Sequence, residues 1–263
     1  VRNENKRRKV MRDWTTDGFV VGRPYQSVHE ESATQKYPIG TVYEAFGRRW
    51  RYCKAAATIT PARRGCPNLA QNPWYAGGYS FGSDGCTATG LSGENYFDVT
   101  LSGDYDIERL VDCYQGGILT LYPSTGIPIW QYHILGNDLS HTTNTIVRIY
   151  VDPPLISDFT AVPVDGMPSP YMYVGDGESV GTQLSVVVVN ELIITSGYYF
   201  WGQTRGPAWV TPNAGWTTAA TREAEWHTNG TIKAAAGVAL QRAGYLLVNN
   251  TDADDAIIML QLE

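Results

Sequence analysis

Thr41-Val42-Tyr43-Glu44-Ala45-Phe46-Gly47-Arg48-Arg49-Trp50-Arg51-Tyr52-Cys53 reads as a β-hairpin. Residues alternate with period two on both sides of a turn at Gly47-Arg48, as in strands with one face turned inward. Gly47 sits where a tight turn needs positive φ. Working outward, segments of the same kind recur at Tyr96–Leu101, Ile107–Tyr114, Gly117–Tyr122, Ile129–Ile134 and Thr145–Val151. The second half adds Gln183–Val189, Leu192–Thr195, Tyr198–Gln203, Ala208–Thr211, Thr231–Ala235, Gly244–Asn249 and Ala256–Gln261. β-branched and aromatic residues dominate these runs. Helix signals are scarce; Thr217–Trp226 has a composition that tolerates two or three turns. The expected fold class is all-β: a β-sandwich or barrel-like body with long loops and an extended N-terminal arm.

Residues 1–24 form the arm in this reading, because the stretch is basic, lacks periodicity and passes Gly18, Gly22 and Pro24 before patterned sequence begins. Residues 25–263 form the body. Pro153-Pro154 breaks it and allows subdomains 25–151 and 152–263. Residues 61–93 hold Pro61, Pro67 and Pro73 among many glycines, which marks a long ordered loop able to meet a glycan or another chain. A further Pro/Gly-rich loop or linker is expected from Pro163 to Gly181.

The charge is unevenly spread. Six Lys and Arg against Glu4 and Asp13 give residues 1–13 a net +4 within a chain of net −6, so the remainder is −10. An acidic body is a poor nucleic-acid binder, and none is expected as a partner. No apolar run approaches the ~20 residues of a membrane helix, and the basic opening is not followed by the apolar stretch of a secretory signal. A soluble protein made in a cytosol is the expectation. Cys53, Cys66, Cys86 and Cys113 lack zinc-site spacing and read as buried free thiols.

Several constellations invite an enzymatic reading, and each lacks a partner. Gly78-Tyr79-Ser80-Phe81-Gly82 matches a nucleophile elbow, but that motif needs a strand before the serine and a helix after it. Asp104, Asp106 and Glu108 would share one strand face, and a solvated face explains them without calcium. Turn chemistry accounts for Asp252, Asp254 and Asp255. Glu223 and Glu225 stand near Trp226 and His227 with no second carboxylate to set opposite them. His29, His133, His141 and His227 are scattered. No catalytic residue, metal site or cofactor is assigned, and the chain is read as a binding protein.

The aromatic load is the feature most in need of an explanation. Tyr198-Tyr199-Phe200-Trp201 places aromatics on both faces of one strand. One face belongs to a core, and the other is expected to meet another sheet or another chain. Tyr199, Phe200 and Trp201 are therefore candidate partner-binding residues, together with Arg7, Arg8 and Trp14 of the arm. Glycan stacking is the rival use of the same side chains.

Gly47-Arg48-Arg49-Trp50-Arg51-Tyr52-Cys53-Lys54-Ala55 resembles the opening motif of a group of tailed-phage virion structural proteins. Tyr114-Gln115-Gly116-Gly117, followed by Tyr132-His133-Ile134-Leu135-Gly136-Asn137, is similar to their second motif. Tyr199-Phe200-Trp201-Gly202-Gln203-Thr204-Arg205-Gly206-Pro207-Ala208 resembles a third, departing from it at Gly202, where the pattern has valine. Gly237-Val238-Ala239-Leu240 ahead of Gly244-Tyr245 fits its end, so the resemblance spans roughly residues 40–263. It implies a capsid decoration or head-surface protein and carries no catalytic residue. The implied partners are the major capsid protein or neighbouring virion proteins and further copies of this chain, with a trimer favoured. A glycan-binding module of a head or tail fibre is the alternative.

Overall fold

The computed structural model describes residues 19–20, 23–60, 62–68, 85–101, 111–123, 129–139, 146–176, 185–213, 222–235, 240–249 and 256–263. Every regular element among them is a strand, so the protein is all-β. The chain divides into two compact units. One is a closed barrel within Ala70–Ser169; the other is a large sheet built from Asp17–Leu69 and Pro170–Glu263.

The sheet unit starts from the hairpin. β1 (Phe19–Val20) lies parallel to β2 (Val42–Ala45), and β2 pairs antiparallel with β3 (Arg48–Lys54). Ala45 pairs with Arg48, so the turn residues are Phe46 and Gly47, both at positive φ (52° and 74°), one position before the expected turn. β3 pairs with β12 (Tyr199–Trp209), which continues to β16 (Ala256–Gln261), β15 (Arg242–Asn249), β13 (Glu223–Trp226) and β14 (Ile232–Ala234). The short strands β4 (Gly65–Pro67) and β11 (Val186–Val189) join at the side of β12. The two runs expected at Tyr198–Gln203 and Ala208–Thr211 are one strand, and a register shift between Gln203 and Arg205 divides its β3 pairing. Glu223–Trp226, at the end of the helix-tolerant stretch, is a strand, and Leu192–Thr195 contributes only the isolated bridge Ile59↔Ile194.

β12 is buried on both sides at its start. Phe200 packs with Cys53, Ile59, Cys66, Val174, Val188 and Ile194, while Trp201 packs with Ile39, Trp50, Tyr52 and Met172. Both are 1% exposed and Tyr199 is half-buried. For Phe200 and Trp201 this corrects the expectation of a partner contact. The second face is covered by the chain's own residues 25–39, with Val28, Tyr37 and Ile39 against Trp201 and its neighbours. Gln26, 1% exposed, ties that cover down. Its carbonyl accepts from Trp201 Nε1 at 3.0 Å, its Oε1 accepts from Tyr52 Oη at 2.7 Å, and its Nε2 donates to the carbonyls of Glu30 and Tyr199. Each buried polar tip thereby has the partner it needs. Gly202 is also explained by packing. A Cβ there would stand 2.5 Å from Val188 Cβ, so the strand can hold glycine and not the valine of the resembling pattern.

In the barrel unit, β10 (Phe159–Met167), β5 (Thr87–Gly90), β6 (Tyr96–Thr100), β9 (Ile146–Asp152), β8 (Trp130–Asn137) and β7 (Ile118–Leu121) close in that order. β9 shows the period-two logic: Val147, Ile149 and Val151 are at most 1% exposed, while Ile146 and Asp152 face solvent. β10 lies in and before the stretch expected to be a Pro/Gly loop. Pro163 is tolerated there opposite Thr87, beside a register irregularity at which Ala161 adopts φ 48°. Because β10 pairs with β5 and β7, Pro153-Pro154 falls inside the barrel and does not divide the chain. The expected strand Ile107–Tyr114 is turn from residue 111 onward, and its earlier residues lie outside the described ones. Within the sheet unit the buried Asn68 side chain donates to the carbonyls of Pro170 (2.6 Å) and Met172 (2.8 Å), joining the segments that flank Ala70–Ser169 in sequence.

The four cysteines are buried, and burial pushes the Cys53 and Cys66 thiols up, away from the reactive thiolate. One carboxylate ties three segments together. Glu263 accepts from Arg51 Nε (2.7 Å), Arg49 (3.1 Å) and Tyr171 Oη (2.5 Å). Burial pushes its carboxyl up, but the hydrogen bonds from Arg51 and Tyr171 and the arginine charges outweigh it and hold the group below its ordinary 4.5.

Two predictions follow from this packing. Gly202→Ala is expected to cost about 1–3 kcal/mol, the usual penalty for overpacking, read as a lower Tm with an unchanged far-UV spectrum. A depressed carboxyl stabilises the fold above its unfolded pKa, and the stabilisation is lost as pH falls through the lowered value. Urea midpoints measured below about pH 4.5 should therefore fall less steeply with acid in Glu263→Gln than in the parent chain.

Candidate interaction surface

Past the register shift, β12, β16 and β15 have core on one face only. Ala208, Ile258, Leu260, Ala243 and Leu246 are buried in it with Trp226 and Ile232. Directly opposed residues share a face, so the registers define the other side. Pro207 faces Met259, which faces Tyr245; Trp209 faces Ile257, which faces Val248. Leu247 joins them at the register shift in β15. Val248 is 55% exposed, Tyr245 40%, Leu247 39% and Ile257 37%. This is a continuous apolar surface on three neighbouring strands. Such patches mark protein-binding sites far more often than scattered exposed side chains do.

Basic side chains border it. The Arg63 guanidinium lies 4.6 Å from the Trp209 ring, and Arg63 itself has φ 66°. Arg205 is exposed opposite Gln261, and Arg242 sits 3.5 Å from Glu223, which faces Tyr245. Charge differs sharply between the units. Ala70–Ser169 carries eleven Asp and Glu against Arg109 and Arg148, net −9, while the sheet unit carries thirteen against twelve, net −1. Among the described barrel residues, seven carboxylates face the single basic side chain of Arg148, which is spent on Asp98 at 2.7 Å.

Phe46 is a second exposed apolar feature. It is 94% exposed at the hairpin tip and occupies a left-handed conformation that costs a bulky side chain roughly 1–2 kcal/mol. Asparagine or glycine would hold the turn at less cost.

The other candidates fall elsewhere. Arg7, Arg8 and Trp14 lie outside the described residues, as do Ser80, Asp104, Asp106, Glu108, His141, Asp252, Asp254 and Asp255. Glu225 is a buried cross-strand partner of Lys233 (3.2 Å), and Glu223 belongs to the surface pair with Arg242. Glu191 accepts from Trp50 Nε1 (2.9 Å) and lies 3.2 Å from His29 Nδ1 and 3.6 Å from Arg48, so it ties the hairpin to residues 190–192. Among the described residues no three His, Cys, Asp or Glu side chains gather to hold a metal. The sequence reading missed the β15–β16 face although the signal was there. Leu246-Leu247-Val248 and Ile257-Ile258-Met259-Leu260 are apolar at both parities, like Tyr199–Trp201.

Phe46→Asn is expected to raise stability by about 1 kcal/mol, since asparagine accepts the left-handed conformation. A melt in which the variant is less stable than the parent would show that Phe46 serves the fold and not a contact.

No protein-family model, curated protein or solved structure matches the chain, so the surface is read from its own geometry.

Proposed function

We propose that the chain is a non-enzymatic structural protein of the tailed-phage virion, made in the bacterial cytoplasm and decorating the capsid. It acts by burying surface against other copies of itself and against the major capsid protein or its neighbours. The observation that carries the binding role is the exposed apolar face of β12, β16 and β15, since a face of this kind gains free energy only when another surface covers it. The capsid assignment rests on the motifs at residues 47–55, 114–137 and 199–208. Division of labour follows from chemistry. The apolar face supplies chain–chain contact, and the basic segment with Arg7, Arg8 and Trp14 supplies an anchor whose charge speeds encounter and whose tryptophan supplies the hold. Binding the assembled shell and not its parts stabilises the shell by mass action. The glycan-binding alternative loses two of its aromatics, because Phe200 and Trp201 are out of a ligand's reach.

Co-sedimentation of the full chain with capsids of the encoding phage tests this. The full chain is expected to pellet with the shells. Deleting residues 1–13 should weaken binding and flatten its salt dependence, whereas Trp14→Ala should weaken it with the salt dependence retained. A full chain that stays in the supernatant at all concentrations, or a truncated chain that binds as tightly as the parent, overturns the reading.

A further inference from the structure

We infer that the apolar, arginine-bordered face of the sheet unit docks on the acidic barrel of a second copy, so that the chain associates head to tail. The inference rests on the protein-binding reading above and names the partner of its chain–chain surface. Charge selects the occupant. The face offers Tyr245, Val248 and Ile257 beside Arg63, whose guanidinium lies over the Trp209 ring, and Arg205, which the strand pairing sets against Gln261 and Arg49 and no carboxylate. A partner therefore needs apolar side chains among carboxylates. The basic segment 1–13, at net +4, would meet like charge there and is the wrong occupant. A second copy of the same face would likewise bring arginine to arginine.

The barrel supplies both requirements. It carries net −9 over a hundred residues. On its outer wall Ile118 faces His133, which faces Asp152, forming one row across β7, β8 and β9. Ile118 is 41% exposed, and Ile129, ahead of β8, is 61% exposed. Asp152 is exposed at the end of that row. An exposed apolar row that ends on a carboxylate, on a unit of net negative charge, thus matches apolar side chains next to arginines on another surface. Because the two surfaces differ, the contact is heterologous, and it closes into a ring or runs on as an open array according to the rotation between copies.

Sedimentation velocity of the full chain over a range of concentration and salt is the experiment. Association is expected at low salt and should weaken as salt screens the barrel against the arginines. Val248→Asp spoils the face and Ile118→Lys spoils the barrel wall. Both positions are exposed, so each variant should melt like the parent and remain monomeric alone. Mixed in equal amounts they should form a one-to-one dimer, since each keeps the surface the other lacks. Ile257→Asp and Ile129→Lys repeat the test should either first variant misfold. Wild-type association that Ile118→Lys and Ile129→Lys leave intact overturns the barrel as partner, as does a mixture that forms no dimer. A parent chain that stays monomeric overturns the inference. If that monomer still pellets with capsids, the proposed function stands without it.

Discussion

Phe200 and Trp201 leave β12 on opposite sides, and taking both out of water obliges the chain to cover the strand twice. Fully burying one large apolar side chain gains about 1.5–3 kcal/mol, so leaving either exposed would forfeit a sizeable share of a typical domain's stability. The first cover comes from Ile59, Cys66, Val174, Val188 and Ile194, which reach Phe200 from segments distant in sequence. The second comes from residues 25–39, which must cross a face lined with the polar tips of tryptophan and tyrosine. Gln26 makes that crossing possible by presenting a carbonyl, an amide oxygen and an amide nitrogen at once. Without it, apolar cover would strand the Trp201 N–H and Tyr52 O–H, at a cost comparable to what the burial gains.

The inserted barrel poses a different demand. The segments of the sheet unit that flank it in sequence are held side by side by Asn68, with one amide group bonded to two carbonyls across more than a hundred residues. The barrel can then be self-sufficient. Its strands close on themselves and leave no edge, so carboxylates on its wall are not needed to discourage edge pairing. Several of those carboxylates serve the barrel's own bonding instead: Asp98 pairs with Arg148, Glu94 accepts from Tyr96, Asp158 from the Ser92 amide and Asp165 from Tyr122.

Much of this architecture could be seen in the amino-acid order, and the failures have a common cause. β9 and β16 were legible because their registers put the core on one face and solvent or a partner on the other. β10 was hidden because Pro163 and Gly166 mimic a loop, although an irregular ladder absorbs the proline. Glu223–Trp226 looked helix-tolerant because its small and charged residues carry no strand signal; it is a strand because β14 and β15 flank it. The break at Pro153-Pro154 was real as a local feature and silent about domains, since the chain beyond it returns to the same barrel. The aromatic run at Tyr199–Trp201 was rightly read as two-faced, but sequence cannot say whether the second cover is the same chain or another one.

That ambiguity turns on available cover. Two of the non-alternating apolar runs in the sheet unit are Tyr199–Trp201 and that of β15–β16. For the first, the described residues supply a second layer, and exposure falls to 1%. For the second, Tyr245, Leu247, Val248 and Ile257 keep between 37% and 55% of their surface. A strand face meant for water would carry threonine, lysine or glutamate at those positions at no cost to the core beneath, because inward and outward residues of a strand are chosen independently. The core therefore does not require these aliphatic side chains, and the turn does not require Phe46. Apolar groups are thus retained where the fold makes no demand for them, beside Arg205, which the strand pairing sets against no carboxylate, and a chain–chain contact of the kind proposed would cover them.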